Sequence, residues 1–194
     1  MRVFIAVPFD DKTKKSFAEV QKELIEGSIS GKFTDWNNFH LTIKFIGEVT
    51  EEEIMKIDGT LSSIAKAHHS FTLQIGGLDG FTRGQTIIPW LAVKRGKEKI
   101  FALNNDVEEA LYEQGLPKES RPYQAHMTLG RKVRISNDSW SKIKHNREPF
   151  EVSVHVTSIV LMESTRQDGK LVYRILKEYP LSGKRMDSGH IRLF

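Results

Sequence analysis

The 194-residue chain contains no cysteine. That excludes a disulfide framework, thiolate nucleophiles and cysteine-ligated zinc, and it fits a reducing cytoplasm. Long apolar runs are also missing: no stretch approaches the roughly 20 residues that a membrane helix needs. The opening "MRVFIAVPFDDK" holds an apolar run too short for a secretory leader. It ends in Pro8 and two aspartates rather than small residues, so a first strand is expected there. There is no P-loop, no G-x-G-x-x-G fingerprint and no G-x-S-x-G elbow. Charge of one sign is nearly balanced, with 29 Lys and Arg against 25 Asp and Glu for a formal net charge of +4. So small an excess fits a polyanionic partner or simply a basic soluble protein. A hydrophobic content of 39% with 28% charged residues is that of an ordinary globular domain, long enough to bury a real core.

What is present is an alternation of strand and helix patterns. "RVFIAVPF" (2–9) reads as a strand, followed by a helix over 10–27 that Asp10 or Asp11 can cap and Gly27 can end, with Phe17, Val20 and Leu24 on its apolar face. A strand at 39–47 leads to a second helix, where Thr50 and Glu53 form a capping box and Gly59 weakens the middle. Strands follow at 70–77 and 86–96, and Pro89 places the latter near an edge or a bulge. The pattern then starts again with an amphipathic helix over 97–115, a strand at 125–131, a short helix near 138–145, and strands at 150–163 and 171–180. Helix–strand–helix–strand therefore occurs twice. This predicts an α+β fold of two pseudo-symmetric lobes around a central cleft, spanning residues 1–184 as one domain, with 185–194 as a C-terminal tail.

The two strands at equivalent places in the halves share a pattern. In "FHLTIKFIGE" (39–48) strand alternation puts Leu41, Ile43 and Phe45 on one face and His40, Thr42 and Lys44 on the other. In "AHMTLGR" (125–131), His126 and Thr128 share a face opposite Met127 and Leu129. The bare pattern is common; His68-His69-Ser70 and His155-Val156-Thr157 also satisfy it. His155 reads as a surface residue beside inward-facing Val152, Val154 and Val156, and His68 and His69 suit a helix C-terminus. His145 and His190 lie in polar segments and read as solvent-exposed. His40 and His126 can equally be exposed strand histidines, but a pseudo-two-fold pairing of lobes would bring both, with their threonines, around one cleft. Two imidazoles near neutral pKa can then serve as base and acid on opposite sides of one phosphorus atom. The hydroxyls of Thr42 and Thr128 can donate to non-bridging oxygens, and Arg131 can add a forked cationic contact. Zinc on two histidines would lack an evident third ligand.

These residues resemble the 2H phosphoesterase superfamily, in its LigT-like branch of RNA 2',3'-cyclic phosphodiesterases, also called 2'-5' RNA ligases. The likeness extends over residues 1 to about 181. It includes "MRVFIAV", "WNNFHLTIKFIGEV", "GLDGFTRGQTIIPWLAV", "RPYQAHMTLGR" and "MESTRQDGKLVYRILKEYPL". Ala125 stands where many relatives have proline, and Gly130 where alanine is frequent. The resemblance implies two antiparallel sheets flanking the cleft, with His40-Leu41-Thr42-Ile43 and His126-Met127-Thr128-Leu129 as the catalytic motifs, His40 as proton donor and His126 as proton acceptor; the chemistry of the residues adds Thr42, Thr128 and Arg131 on the substrate phosphate. It implies hydrolysis of an RNA 2',3'-cyclic phosphate to a 2'-phosphomonoester without metal or cofactor, by a cytoplasmic monomer, and reversible 2'-5' ligation in some members. Two alternatives remain open. One is the same chemistry on small nucleotides, such as an ADP-ribose cyclic phosphate or a 2'-5' oligoadenylate; the other is a non-catalytic RNA-binding module.

Overall fold

A computed structural model describes residues 1–182, and the expected tail at 185–194 lies outside the described residues. In chain order the elements are β1 (Arg2–Pro8), α1 (Asp11–Gly27), β2 (Ser28–Phe33), a 3-10 turn (Trp36–Asn38), β3 (His40–Glu48), α2 (Glu51–Ala67), β4 (Phe71–Arg83), β5 (Thr86–Arg95) and α3 (Lys97–Glu113). They continue with β6 (His126–Thr128), β7 (Gly130–Ile135), α4 (Asn137–Asn146), β8 (Glu151–Val156), β9 (Ser158–Gln167) and β10 (Lys170–Pro180).

Antiparallel pairing sorts the strands into a four-stranded sheet, β10-β9-β1-β3, and a second sheet, β2-β7-β5-β4-β8, in which β6 also pairs with β5. One hydrophobic core spans both sheets. Val3, Ile5 and Val7 of β1 enter it together with Phe17, Val20 and Leu24 of α1, Ile57, Leu61 and Ile64 of α2, and Ile100, Leu103, Val107 and Leu111 of α3. The other face of β1 is buried too, where Phe4 and Ala6 pack with Val160 and Met162. Burial on both faces is why that strand reads as an unbroken apolar run rather than an alternation.

The caps act as their residues predict. The Asp10 side chain accepts from the Thr13 amide at the start of α1, and the Thr50–Glu53 capping box closes the start of α2. Gly27, however, is the last helical residue, and the chain runs straight into β2, a strand that "SISGKF" hides because it lacks an apolar face.

The lobes are interleaved along the chain rather than being its two halves. β9 and β10 return to the sheet of β1 and β3, while β2 and β4 belong with β6 and β7. The run at 150–163 accordingly splits at Thr157, its first part pairing with β4 and its second with β1. Pro89 lies at neither an edge nor a bulge. It pairs with Gly80 of β4, while on its other side the neighbour of β5 changes from β7 at Ile87 to β6 at Trp90. Its carbonyl still accepts from the Leu129 amide. The amide that proline lacks falls where that ladder is interrupted anyway.

Candidate active site

β3 belongs to the four-stranded sheet and β6 to the other, and the two meet across a cleft of about 490 Å³. His40, Thr42, His126, Thr128 and Arg131 all line it. The five residues singled out in the sequence therefore share one cavity, of a size typical for small-ligand sites.

Each histidine is held in the same way. His40 Nδ1 lies 2.7 Å from the Asn38 carbonyl oxygen, and His126 Nδ1 lies 2.7 Å from that of Gln124, in both cases the residue two places earlier. A carbonyl only accepts, so Nδ1 carries the proton in both rings and Nε2 is the acceptor of the neutral imidazole. His40 Nε2 is 3.0 Å from Thr42 Oγ1; that hydroxyl donates to the neutral ring and accepts from the protonated one. The carbonyl that anchors His40 is itself fixed. The buried Asn38 side chain donates to the Leu171 carbonyl at 2.9 Å and accepts from the Tyr173 amide at 3.1 Å.

Two aromatic rings flank each imidazole, which sequence spacing did not reveal because they come from other strands. His40 contacts Phe4 at 4.8 Å and Tyr173 at 5.1 Å between ring centroids. His126 contacts Phe81 at 5.3 Å and Trp90 at 5.6 Å. This apolar packing sets the electrostatics. Burial pushes the His40 pKa down to about 4, opposed by its bond to Asn38 and assisted by the charges of His126 and Arg131. Burial lowers the His126 pKa as well, opposed by Gln124 and assisted by Arg131. Both rings feel Arg131, whose guanidinium adds positive charge to the cleft that it lines with them.

Buried amides hold the two motif strands from below, again in matched fashion. Asn104 of α3 donates to the Ile43 carbonyl at 2.9 Å. Gln21 of α1 donates to the carbonyls of Leu129 and Thr34, each at 2.7 Å. Ile43 and Leu129 are the fourth residues of the two motifs. A polar residue on an otherwise apolar helix stripe was the one available sign of these contacts. The hydroxyl of Tyr123 also bridges the lobes, donating to the Thr42 carbonyl at 2.8 Å.

Lys44 departs from its expected place beside His40 and Thr42. β3 carries extra residues opposite β1, with register shifts between Val3 and Phe4 and between Ile5 and Ala6. The bulge reverses the alternation. Lys44 turns inward, 5% exposed, where it pairs with Glu108 and donates to the Pro117 carbonyl. Phe45 turns outward and joins the cleft wall. The remaining histidines lie apart from the cleft: His155 meets Thr72, His68 pairs with Asp106, and His69 bonds the Ser182 carbonyl. His145 is exposed near the end of α4, and His190 lies outside the described residues. Among the described residues no group of three His, Asp or Glu side chains is placed to hold a metal ion, and no helix is long and apolar enough to cross a membrane.

A two-lobed sheet protein with one anchored histidine from each lobe is the class that this geometry defines, and the fold has solved counterparts. LigT of E. coli in its apo form superposes with a TM-score of 0.77 at 22% identity, covering 94% of this chain and 98% of that one. The chain belongs to the 2'-5' RNA ligase superfamily, whose family model matches residues 7–168. Among its relatives is the RNA 2',3'-cyclic phosphodiesterase of Thermotoga maritima, 27% identical over 184 residues, which covers 94% of this chain and 97% of that protein. The protein of the same name from Archaeoglobus fulgidus is 33% identical over 154 residues, covering 77% of this chain and 84% of its own.

Proposed function

We propose that this protein hydrolyses the 2',3'-cyclic phosphodiester at RNA ends to a 2'-phosphomonoester, by acid–base catalysis between His40 and His126. The observation that carries this reading is the matched pair of imidazoles. Each is tautomer-locked by a carbonyl on Nδ1 and lines the same cleft. The relatives named as RNA 2',3'-cyclic phosphodiesterases support the substrate.

In this mechanism His126 Nε2 takes a proton from water as the water oxygen attacks phosphorus. The P–O3' bond breaks on the opposite side, and His40 Nε2 delivers its proton to the departing 3'-oxygen. Thr42, Thr128 and Arg131 bear on the non-bridging oxygens, where negative charge accumulates in the transition state. His40 must hold a proton at the start, yet burial depresses its pKa. The anionic substrate therefore has to supply the proton affinity that the aromatic surroundings remove. With an RNA 5'-hydroxyl in place of water, the same steps would form a 2'-5' linkage and free the 3'-hydroxyl. A cytoplasmic monomer, with residues 1–184 as one bilobal domain, completes this picture.

His40→Ala and His126→Ala should each lower kcat on a 2',3'-cyclic-ended RNA by about 10²- to 10⁴-fold, the usual size of one lost proton transfer. His155→Ala and His68→Ala should change it little. Near-wild-type turnover in either cleft variant would remove the assignment, and a 3'-phosphate product would reverse the direction of cleavage.

A further inference from the structure

Arg131 and Lys132 are consecutive on β7, and both line the cleft. Neighbouring residues of a regular strand point to opposite faces, so something must turn the second one. Lys132 does it with a left-handed backbone, at φ 53°. The pairing with β2 slips at this point: Ser30 faces Arg134 and Lys32 faces Arg131, leaving two β7 residues opposite Gly31 alone. A Cβ on Gly31 would come within 2.9 Å of the Val133 side chain and 3.2 Å of its Cα, so the bulge needs a glycine there. A lysine in this region is strained where a glycine would not be, and such strain gathers at functional sites.

The strained turn adds Lys132 to a group of exposed cations. Lys32 of β2 lies on the same lobe, and Arg166 and Lys170 line the cleft from the β9–β10 hairpin of the other lobe. Among the described residues none of these four forms an ion pair with a carboxylate. The acidic residue lining the cleft, Asp35, is engaged by the backbone and side chain of Asn37. Hence positive charge lies on both banks, outside the histidines and beyond what one terminal phosphate requires.

We propose that Lys132, with Lys32 beside it and Arg166 and Lys170 across the cleft, grips the phosphodiester next to the reacting end, and so makes the site selective for an RNA strand over a single cyclic nucleotide. This rests on the RNA-end reading above. A cyclic mononucleotide has no second phosphate and gains nothing from the outer cations, whereas a strand gains charge-assisted contacts that weaken with salt.

The test compares a nucleoside 2',3'-cyclic monophosphate with a short RNA strand ending in the same nucleotide. Wild-type protein should prefer the strand in kcat/KM, and only the strand should show a marked salt dependence. Lys132→Gly keeps the left-handed turn and deletes the charge. It should melt no lower than wild type, lower kcat/KM on the strand about tenfold more than on the mononucleotide, and reduce the strand's salt slope by about 0.7, one phosphate contact on a single strand. The double variant Arg166→Ala, Lys170→Ala should show the same selective loss. Equal losses on both substrates, or none on either, would overturn the proposal. If wild type turns over the mononucleotide without preferring the strand, only this inference fails; if it cleaves neither, the proposed function fails with it.

Discussion

Binding an anion should pull the His40 pKa up by several units, and that change can be worked from the structure. Burial takes the ring from an ordinary 6.5 to about 4. The depression of about 2.5 units corresponds to about 3 kcal/mol against the charged form. A single negative charge about 4 Å from the ring, at an effective dielectric of about 20, returns about 4 kcal/mol. The two effects are similar in size, so a bound phosphoryl anion restores the proton at near-neutral pH. Sulfate is a suitable probe because its own charge stays constant across this range. In ligand-free protein, NMR titration of the imidazole should place His40 near 4; with saturating sulfate it should move close to neutrality. By linkage, sulfate affinity should rise as pH falls from neutrality toward 4, by up to about tenfold per unit, since binding takes up one proton. A His40 that titrates near 6.5 without ligand, or whose pKa ignores sulfate, would refute the reasoning.

The same depression fixes the sign of a stability effect. The unfolded chain binds a proton on His40 near 6.5 and the folded chain only near 4. The stability that the neutral ring contributes is therefore present above pH 6.5 and lost between 6.5 and 4, by at most about 3 kcal/mol. Kinetics should follow. The kcat/KM profile reports the free enzyme and kcat the complex. Because burial lowers both histidines, the bell for kcat/KM should centre in the acid range, with the bell for kcat displaced to higher pH.

Lys44→Ala should destabilise the protein by about 3 kcal/mol in urea unfolding, because it leaves Glu108 half-buried without its partner, whereas Lys44→Met should cost less if Glu108 is changed to Gln with it. Asn104→Ala and Gln21→Ala should each cost about 1–3 kcal/mol, because the Ile43 carbonyl loses its donor in the first and the Thr34 carbonyl in the second, while Leu129 keeps the Thr34 amide; a loss under about 0.5 kcal/mol by the same measurement would mean that water replaces the amide. Turnover should persist in EDTA, and its loss with rescue by zinc or manganese would defeat the two-histidine mechanism.

The parts of the site that the sequence makes legible are those whose signals are local. His40-x-Thr42 and His126-x-Thr128 each occupy a three-residue stretch over which alternation holds, and each Nδ1 anchor lies only two residues away. Helix limits were readable for the same reason, since the Asp10 cap and the Thr50–Glu53 box reach only three residues. What alternation could not supply is anything past a bulge. Beyond Ile43 the register slips, so the expected solvent-facing Lys44 becomes a buried cation and the expected core Phe45 becomes cleft wall. The same kind of irregularity at Lys132 turns a residue with no pattern of its own toward the site.

Long-range pairing hides the rest. Nothing in the spacing of Phe4 and Tyr173 places them against His40, or of Phe81 and Trp90 against His126, because strands from distant parts of the chain bring them there. Yet these rings decide the chemistry. On an open strand surface an imidazole would titrate near its ordinary value and be partly charged at neutral pH without any ligand. Walled by aromatic rings, His40 is held toward its neutral form. On the proposed mechanism such a site would not commit its acid in advance: the substrate that needs the proton would also be the charge that holds it. Replacing Tyr173 or Phe4 by a small polar residue would admit water, raise the free pKa and weaken that coupling, whereas shifting Arg131 away would raise both histidines together.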